Sequence, residues 1–183
     1  MSHVHEGAGF SIPREPRFHP RGSRGGGSNI AAGRVARQSS EMRGQGKAEH
    51  RGWSPASNAL DGTSTPSMTG IGDGSWWEVD LGASLRVTSV NAELVDVPCP
   101  YWIIVSSVPL PGELGSLEAS LAVACEYSRH TTGDGKWDVS KTAAIARYVR
   151  VQLEGTGESV PSCQSRWEMT RVPDGFVVEA LGK

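Results

Sequence analysis

Residues 144–153, AIARYVRVQL, alternate apolar and polar side chains. Ile145, Val149, Val151 and Leu153 fall on one face of an extended chain, and Tyr148, Arg150 and Gln152 on the other, so the stretch demands a sheet with a core on one side. A second stretch, SWWEVDLG at 75–82, repeats the pattern. Trp77, Val79 and Leu81 point one way and Trp76, Glu78 and Asp80 the other, which sends one tryptophan into the core and leaves its neighbour near the surface.

Turn chemistry separates short segments of this kind at intervals of about 8–15 residues, as in sandwiches and barrels. The expected strands are 34–40, 75–81, 85–95, 101–107, 121–127, 144–153 and 175–181, with a short helical turn within ELGSLEASLA at 113–122. Glycine is 23 and proline 11 of 183 residues, and strong helix-forming stretches are few, so the fold class is all-β. The length suits one domain plus a tail. Residues 1–28 carry few large apolar groups and a Gly triplet at 25–27, which predicts a disordered Gly/Arg-rich tail ahead of a domain at 29–183. His3, His5 and His19 in that tail read as solvated side chains.

A net charge of −2 gives no basic field for nucleic acid. No run reaches the roughly 18 to 20 apolar residues of a membrane span, and no apolar signal-peptide core opens the chain. Three cysteines, Cys99, Cys125 and Cys163, stand far apart without metal-ligand spacing; one disulfide with one free thiol and three reduced thiols are both open. No nucleophile elbow, zinc-protease helix or phosphate loop is present, and the scattered carboxylates, Asp134 and Asp138 among them, read as solvated, so catalysis is not expected.

Three pieces in fixed order carry a resemblance: NIAAGRVARQSS at 29–40, ASNALDG at 56–62 with SWWEVDLG after it, and ARYVRVQLEG at 146–155. Together they resemble the discoidin family, the C-domain fold of coagulation factors V and VIII, and within it the fucolectin (F-type lectin) branch. The likeness spans about residues 29–155. It implies a discoidin-like, galactose-binding-like jelly-roll β-sandwich of about eight strands, whose loops at one end bind glycans without catalysis, in an extracellular or cell-surface setting. The alternative on the same fold is a phospholipid-surface or protein-adhesion module.

ASNALDGTST places an Asp-Gly pair among an Asn and several hydroxyls, a density of oxygen donors suited to a tight turn or a hard cation. Both readings stay open. The resemblance implies a structural Ca2+ there, with Asp61 giving a carboxylate, Asn58 a carbonyl, Thr63 a further oxygen, and Glu179 on the closing strand as a poorer match. The fucose grip of the branch is not reproduced, because no His lies between Asp61 and Cys99 and Arg86 is the single Arg there.

A sugar site without that grip stacks an aromatic on the pyranose and hydrogen-bonds its edge. Trp53, flanked by His50 and Arg51 in HRGWSPAS, is the first expectation, with a hydrophobic plug as the alternative for Trp53. Trp76 follows, then Arg129 and His130 in EYSRHTTGDGKW, read as a polar Gly-rich loop. Of Tyr101 and Trp102, one belongs to the core and one to the rim. Weak single-site lectin binding gains from multivalency, so a homo-oligomer or a place in a larger multidomain protein fits the reading.

Overall fold

The computed structural model describes residues 29–40, 55–61, 67–69, 74–94, 99–112, 117–131, 134–142, 144–154, 168–169 and 177–180. The expected tail at 1–28 lies outside them. Nine strands and one short helix make up the described chain: β1 (Val35–Gln38), β2 (Ser67–Met68), β3 (Trp76–Glu93), β4 (Tyr101–Ser106), α1 (Leu117–Ala122), β5 (Glu126–His130), β6 (Asp134–Asp138), β7 (Ile145–Leu153), β8 (Glu168–Met169) and β9 (Val177–Ala180). A 3-10 turn at Ala56–Ala59 lies between β1 and β2.

The two strands expected at 75–81 and 85–95 are one, β3, which serves two sheets. Its first part joins an antiparallel sheet in the order β1-β3-β7-β4-β5, and its second part pairs with β6 and β9. The pairing register with β7 shifts between Asp80 and Leu85. Gly82 sits in that irregularity at φ +80, where a side chain would be strained, and its N–H donates to Asp80 Oδ1 at 2.7 Å. An irregularity of this kind bends a strand and lets it pass from one layer to the next.

The core fills the space between the layers: Trp77, Val79 and Leu81 from β3, Tyr101, Ile103 and Val105 from β4, and Val149, Val151 and Leu153 from β7 meet Val90, Ala92, Val139 and Val178. Trp77 Nε1 donates to the Ala56 carbonyl at 2.9 Å, which fastens the 3-10 turn to the core. A Cβ at Gly135 of β6 would overlap Tyr101 Oη and lie 3.2 Å from Ile103 Cδ1, so only glycine lets β6 approach β4 this closely.

Several expectations are corrected. Ile145 is exposed and Ala146 buried, so the inward phase of β7 starts one residue away from where strict alternation places it. The apolar run at 121–125 closes α1 instead of opening a strand, because LEASLA is rich in helix formers and a short apolar run does not by itself distinguish the two. The stretch read as a Gly-rich loop is β5 and β6. The closing strand, β9, pairs with β3 and joins the second sheet, and Ile30 N–H donates to the Val178 carbonyl at 2.8 Å. Cys99 is disulfide-bonded and Cys125 is a free, exposed thiol, which selects the one-disulfide alternative.

The outer face of the first sheet is not solvated either. Trp76 is 4% exposed, and Glu78, Arg150 and Gln152 are as buried as the core itself. Leu110, Pro111 and α1 roof this face, held chiefly by Arg150. Arg150 donates through Nε to Glu78 Oε2 at 3.0 Å, through Nη1 to the Pro111 carbonyl at 2.6 Å and Ser120 Oγ at 3.1 Å, and through Nη2 to the Leu110 carbonyl at 3.2 Å, while Nη2 also lies in an ion pair 2.9 Å from Glu78 Oε2. All three guanidinium nitrogens are thereby engaged. Trp76 packs beneath it, its ring centroid 4.2 Å from the Arg150 guanidinium carbon.

Candidate functional site

The register of the first sheet gathers five strand ends. β1 ends at Gln38 opposite Trp77, β3 begins at Trp76 opposite Gln152, and β4 begins at Tyr101 and Trp102 opposite Leu153 and Gln152 on one side and His130 and Arg129 on the other. The chain therefore leaves β1, β5 and β7 and enters β3 and β4 at this one end. His50, Arg51 and Trp53 follow β1 in sequence and lie outside the described residues, as does Thr63.

Side chains on this end divide between the two faces of the sheet. Tyr101 faces the core, and His130 stacks on it with ring centroids 5.3 Å apart. His130 Nε2 is buried without a hydrogen-bond partner among the described residues, and burial pulls its pKa below the usual imidazole value. It is a half-buried packing residue, not a donor in a loop.

Trp102, opposite Gln152 and Arg129, lies on the outer face and is partly exposed, so Tyr101 is the core member of the pair and Trp102 the rim member. Tyr127 meets it edge to face at 5.5 Å and is 49% exposed. Arg129 extends alongside, with Nε 2.8 Å and Nη2 2.7 Å from Glu154 Oε2. Glu154 is itself anchored by its N–H to the Pro100 carbonyl at 2.9 Å. The result is an aromatic pair beside an oriented cation and carboxylate, presented where the loops converge. Such an arrangement can take the apolar face of a pyranose on the rings and its hydroxyls on the charged edge.

Trp76 is removed from the surface candidates, because it is buried on the face that Leu110, Pro111 and α1 cover. Tyr127 and Glu154 were not picked out from the sequence. Their signal was weak: Tyr127 closes the expected 121–127 strand and Glu154 lies one residue beyond 144–153, and only the register sets them beside Trp102 and Arg129.

The residues of the implied calcium turn lie on two elements, and Thr63 falls outside the described residues. Asn58 and Asp61 lie in and just after the 3-10 turn, their N–H groups donating to the Pro55 and Ser57 carbonyls at 3.1 Å. Glu179 stands on β9 opposite Ser89, whose hydroxyl donates to its Oε2 at 2.9 Å. Among the described residues no three His, Cys, Asp or Glu side chains form a group that could hold a metal ion, and no helix is long and apolar enough to cross a membrane.

Comparison of the fold with solved structures gives a consistent class. The chain is similar to a mutant of the lectin binding domain of lectinolysin complexed with Lewis b, at 21% identity and TM-score 0.58, over 85% of this chain and 97% of that one. It is similar to a Streptococcus pneumoniae fucose binding module, at 16% identity and TM-score 0.59, over 87% of this chain and 100% of that one. It is also similar to a mutant of chitosan-binding module 1 from a chitosanase/glucanase of Paenibacillus sp. IK-5, at 25% identity and TM-score 0.52, over 85% of this chain and 100% of that one. No protein-family model matches the chain, and no curated protein matches it. The fold is the discoidin-type, galactose-binding-like β-sandwich.

Proposed function

We propose that the chain is a non-catalytic carbohydrate-binding module whose ligand docks at the end of the first sheet where five strand ends meet. The observation that carries the reading is the Trp102–Tyr127 pair beside the Arg129–Glu154 ion pair, on a fold otherwise seen in a lectin domain, a fucose binding module and a chitosan-binding module. Trp102 and Tyr127 give the ring platform, and Arg129 and Glu154 the donors and acceptors at its rim. Trp53, His50 and Arg51, which follow β1 in sequence, are the further contacts of this reading. Fucose held in the manner of the fucolectin branch is not part of the proposal, since the His and Arg positions of that grip are missing.

A structural Ca2+ at the Asp61 turn belongs to the same reading, with Asn58 and Thr63 adding oxygens and Glu179 on β9 as the poorer match, its carboxylate already accepting from Ser89. An extracellular or cell-surface glycan is the natural target of such a module, and clustering of copies would raise a weak single-site affinity.

The test is a glycan array probed with the chain displayed multivalently, alongside vesicles of phosphatidylserine. Binding to a restricted set of glycans that Tyr127→Ala and Trp53→Ala each weaken supports the proposal. A silent array, or binding to the vesicles alone, overturns it in favour of the surface-adhesion alternative. For calcium, a rise in Tm on adding millimolar Ca2+ that Asp61→Ala abolishes is expected, and no rise removes the ion from the account.

A further inference from the structure

A concavity of about 250 Å3 opens on the outer face of the first sheet, lined by Val35, Arg37, Glu78, Asp80, Pro109 and Tyr148. Register places it away from the strand ends described above. Val35, Asp80 and Tyr148 lie side by side across β1, β3 and β7, one row beyond Arg37, Glu78 and Arg150, and the pairing of β4 with β7 continues the row to Ser106 at the far end of β4. Leu110, Pro111 and Ser120 close over Arg150 in the second of these rows, and Pro109 lines the concavity.

The polar groups here are fixed in place. Glu78 accepts from Arg37 Nε at 2.7 Å and from Arg150 Nε at 3.0 Å. Asp80 takes a bidentate pair from Arg147, Nε to Oδ1 and Nη2 to Oδ2, both at 2.8 Å. The Arg147 guanidinium also lies 5.2 Å from the Tyr148 ring centroid, so the same side chain holds the phenol. Three guanidiniums meet two carboxylates, which leaves one positive charge in excess. The exposed member is Arg37, half accessible, whose Nη2 donates to the Leu110 carbonyl at 3.3 Å while its Nη1 carries no hydrogen bond among the described residues. Val35, 76% exposed, and Pro109 supply apolar walls.

We infer that this concavity is a second binding site, distinct from the strand-end site, for one sugar residue that carries a carboxylate. Its volume lies below the roughly 300–1,000 Å3 of pockets for drug-sized ligands and suits a single ring. The carboxylate pairs with the open edge of Arg37, a planar donor matched to it. The ring C–H face packs on Val35 and Pro109, and its hydroxyls reach the Tyr148 hydroxyl and the outer lone pairs of Asp80. A neutral sugar would leave the excess charge uncompensated, and a bare inorganic anion would leave the apolar walls unused.

The test is calorimetric titration of the whole chain with trigalacturonate and with a glucuronate-containing tetrasaccharide, each against its methyl-esterified form, at two salt concentrations. Binding of an acid form that esterification abolishes, and that higher salt weakens, is expected. Val35→Asp sets a like charge at the mouth of the site without disturbing any buried contact. It should lower affinity about tenfold, as expected for one added charge roughly 6 Å away in a partly solvated site. Tyr148→Phe should weaken binding too, while Trp53→Ala and Tyr127→Ala should leave it unchanged. Equal binding of acid and ester, silence with both acids, or loss on Tyr127→Ala with none on Val35→Asp would each overturn the inference. Unaltered Tm in Val35→Asp shows that its effect is local.

Discussion

Replacing Arg150 with Met tests how the outer face is built. The substitution keeps the apolar stem and removes four donated hydrogen bonds and the ion pair with Glu78. The Leu110 carbonyl retains Arg37, but the Pro111 carbonyl and Ser120 Oγ lose the donors described here, and Glu78 stays buried with one partner instead of two. Burial pulls the Arg150 pKa down while Glu78 pulls it up, and the guanidinium stays cationic at any pH where the domain is folded. Breaking a buried pair from one side costs about 3–5 kcal/mol, because the remaining charge is left without its counterpart. For a domain of this size each kcal/mol corresponds to roughly 2–4 °C in Tm, so a fall of about 6–20 °C is expected.

The control is the double variant Glu78→Met with Arg150→Met, which removes the second charge as well. A buried pair exchanged for apolar groups of similar volume is often neutral or even stabilising, so the double variant should recover most of the loss, with Arg37 free to turn into solvent. Urea unfolding followed by tryptophan fluorescence and far-ultraviolet circular dichroism measures both, and Trp76 beneath the guanidinium reports the outer face directly. A single variant within about 1 kcal/mol of the parent, or a double variant no better than the single, would refute the view that Arg150 and Glu78 act as a unit.

Burial holds His130 below the usual imidazole range, so its unfolded form takes up a proton near pH 6.5 before the native form does. Its contribution is present above about pH 6.5 and is lost as pH falls through the lower folded value; melts from pH 8 to pH 5 should show a smaller acid loss in His130→Gln than in the parent. Gly135→Ala should cost about 1–3 kcal/mol by urea unfolding, and Tyr101→Phe in the same chain should recover part of it by removing the overlapping oxygen. Native-state thiol labelling with peptide mapping should modify exposed Cys125 and spare disulfide-bonded Cys99, and labelling of Cys99 would contradict the assignment.

The sheet was legible because alternation is a direct imprint of the pleat: β1, β4, β7 and β9 fall inside their expected ranges. What alternation does not encode is what lies on the far face. Trp76, Glu78, Arg150 and Gln152 read as the polar side of a half-buried sheet, yet Leu110, Pro111 and α1 cover this face, and charges that pair with each other and with carbonyls are buried as completely as valines. β6 was missed because Gly135 and its charged neighbours carry loop chemistry, and its place depends on close approach to Tyr101, a contact remote in sequence. The same holds for the site. Arg129 and the rim role of Trp102 were visible as residue types, but their grouping with Tyr127 and Glu154 is a product of register, which a single segment does not carry.

The measurement that bears most directly on the central claim is a two-dimensional amide NMR titration of the labelled chain with the strongest glycan from the array. The account predicts that shifts concentrate at Trp102, Tyr127, Arg129 and Glu154 and fade toward Ile145 and Cys125 at the opposite end of the sheet, with a Tyr127→Ala variant showing none. Shifts confined to the second sheet around β6 and β9, or an unperturbed spectrum at saturating glycan, would contradict it.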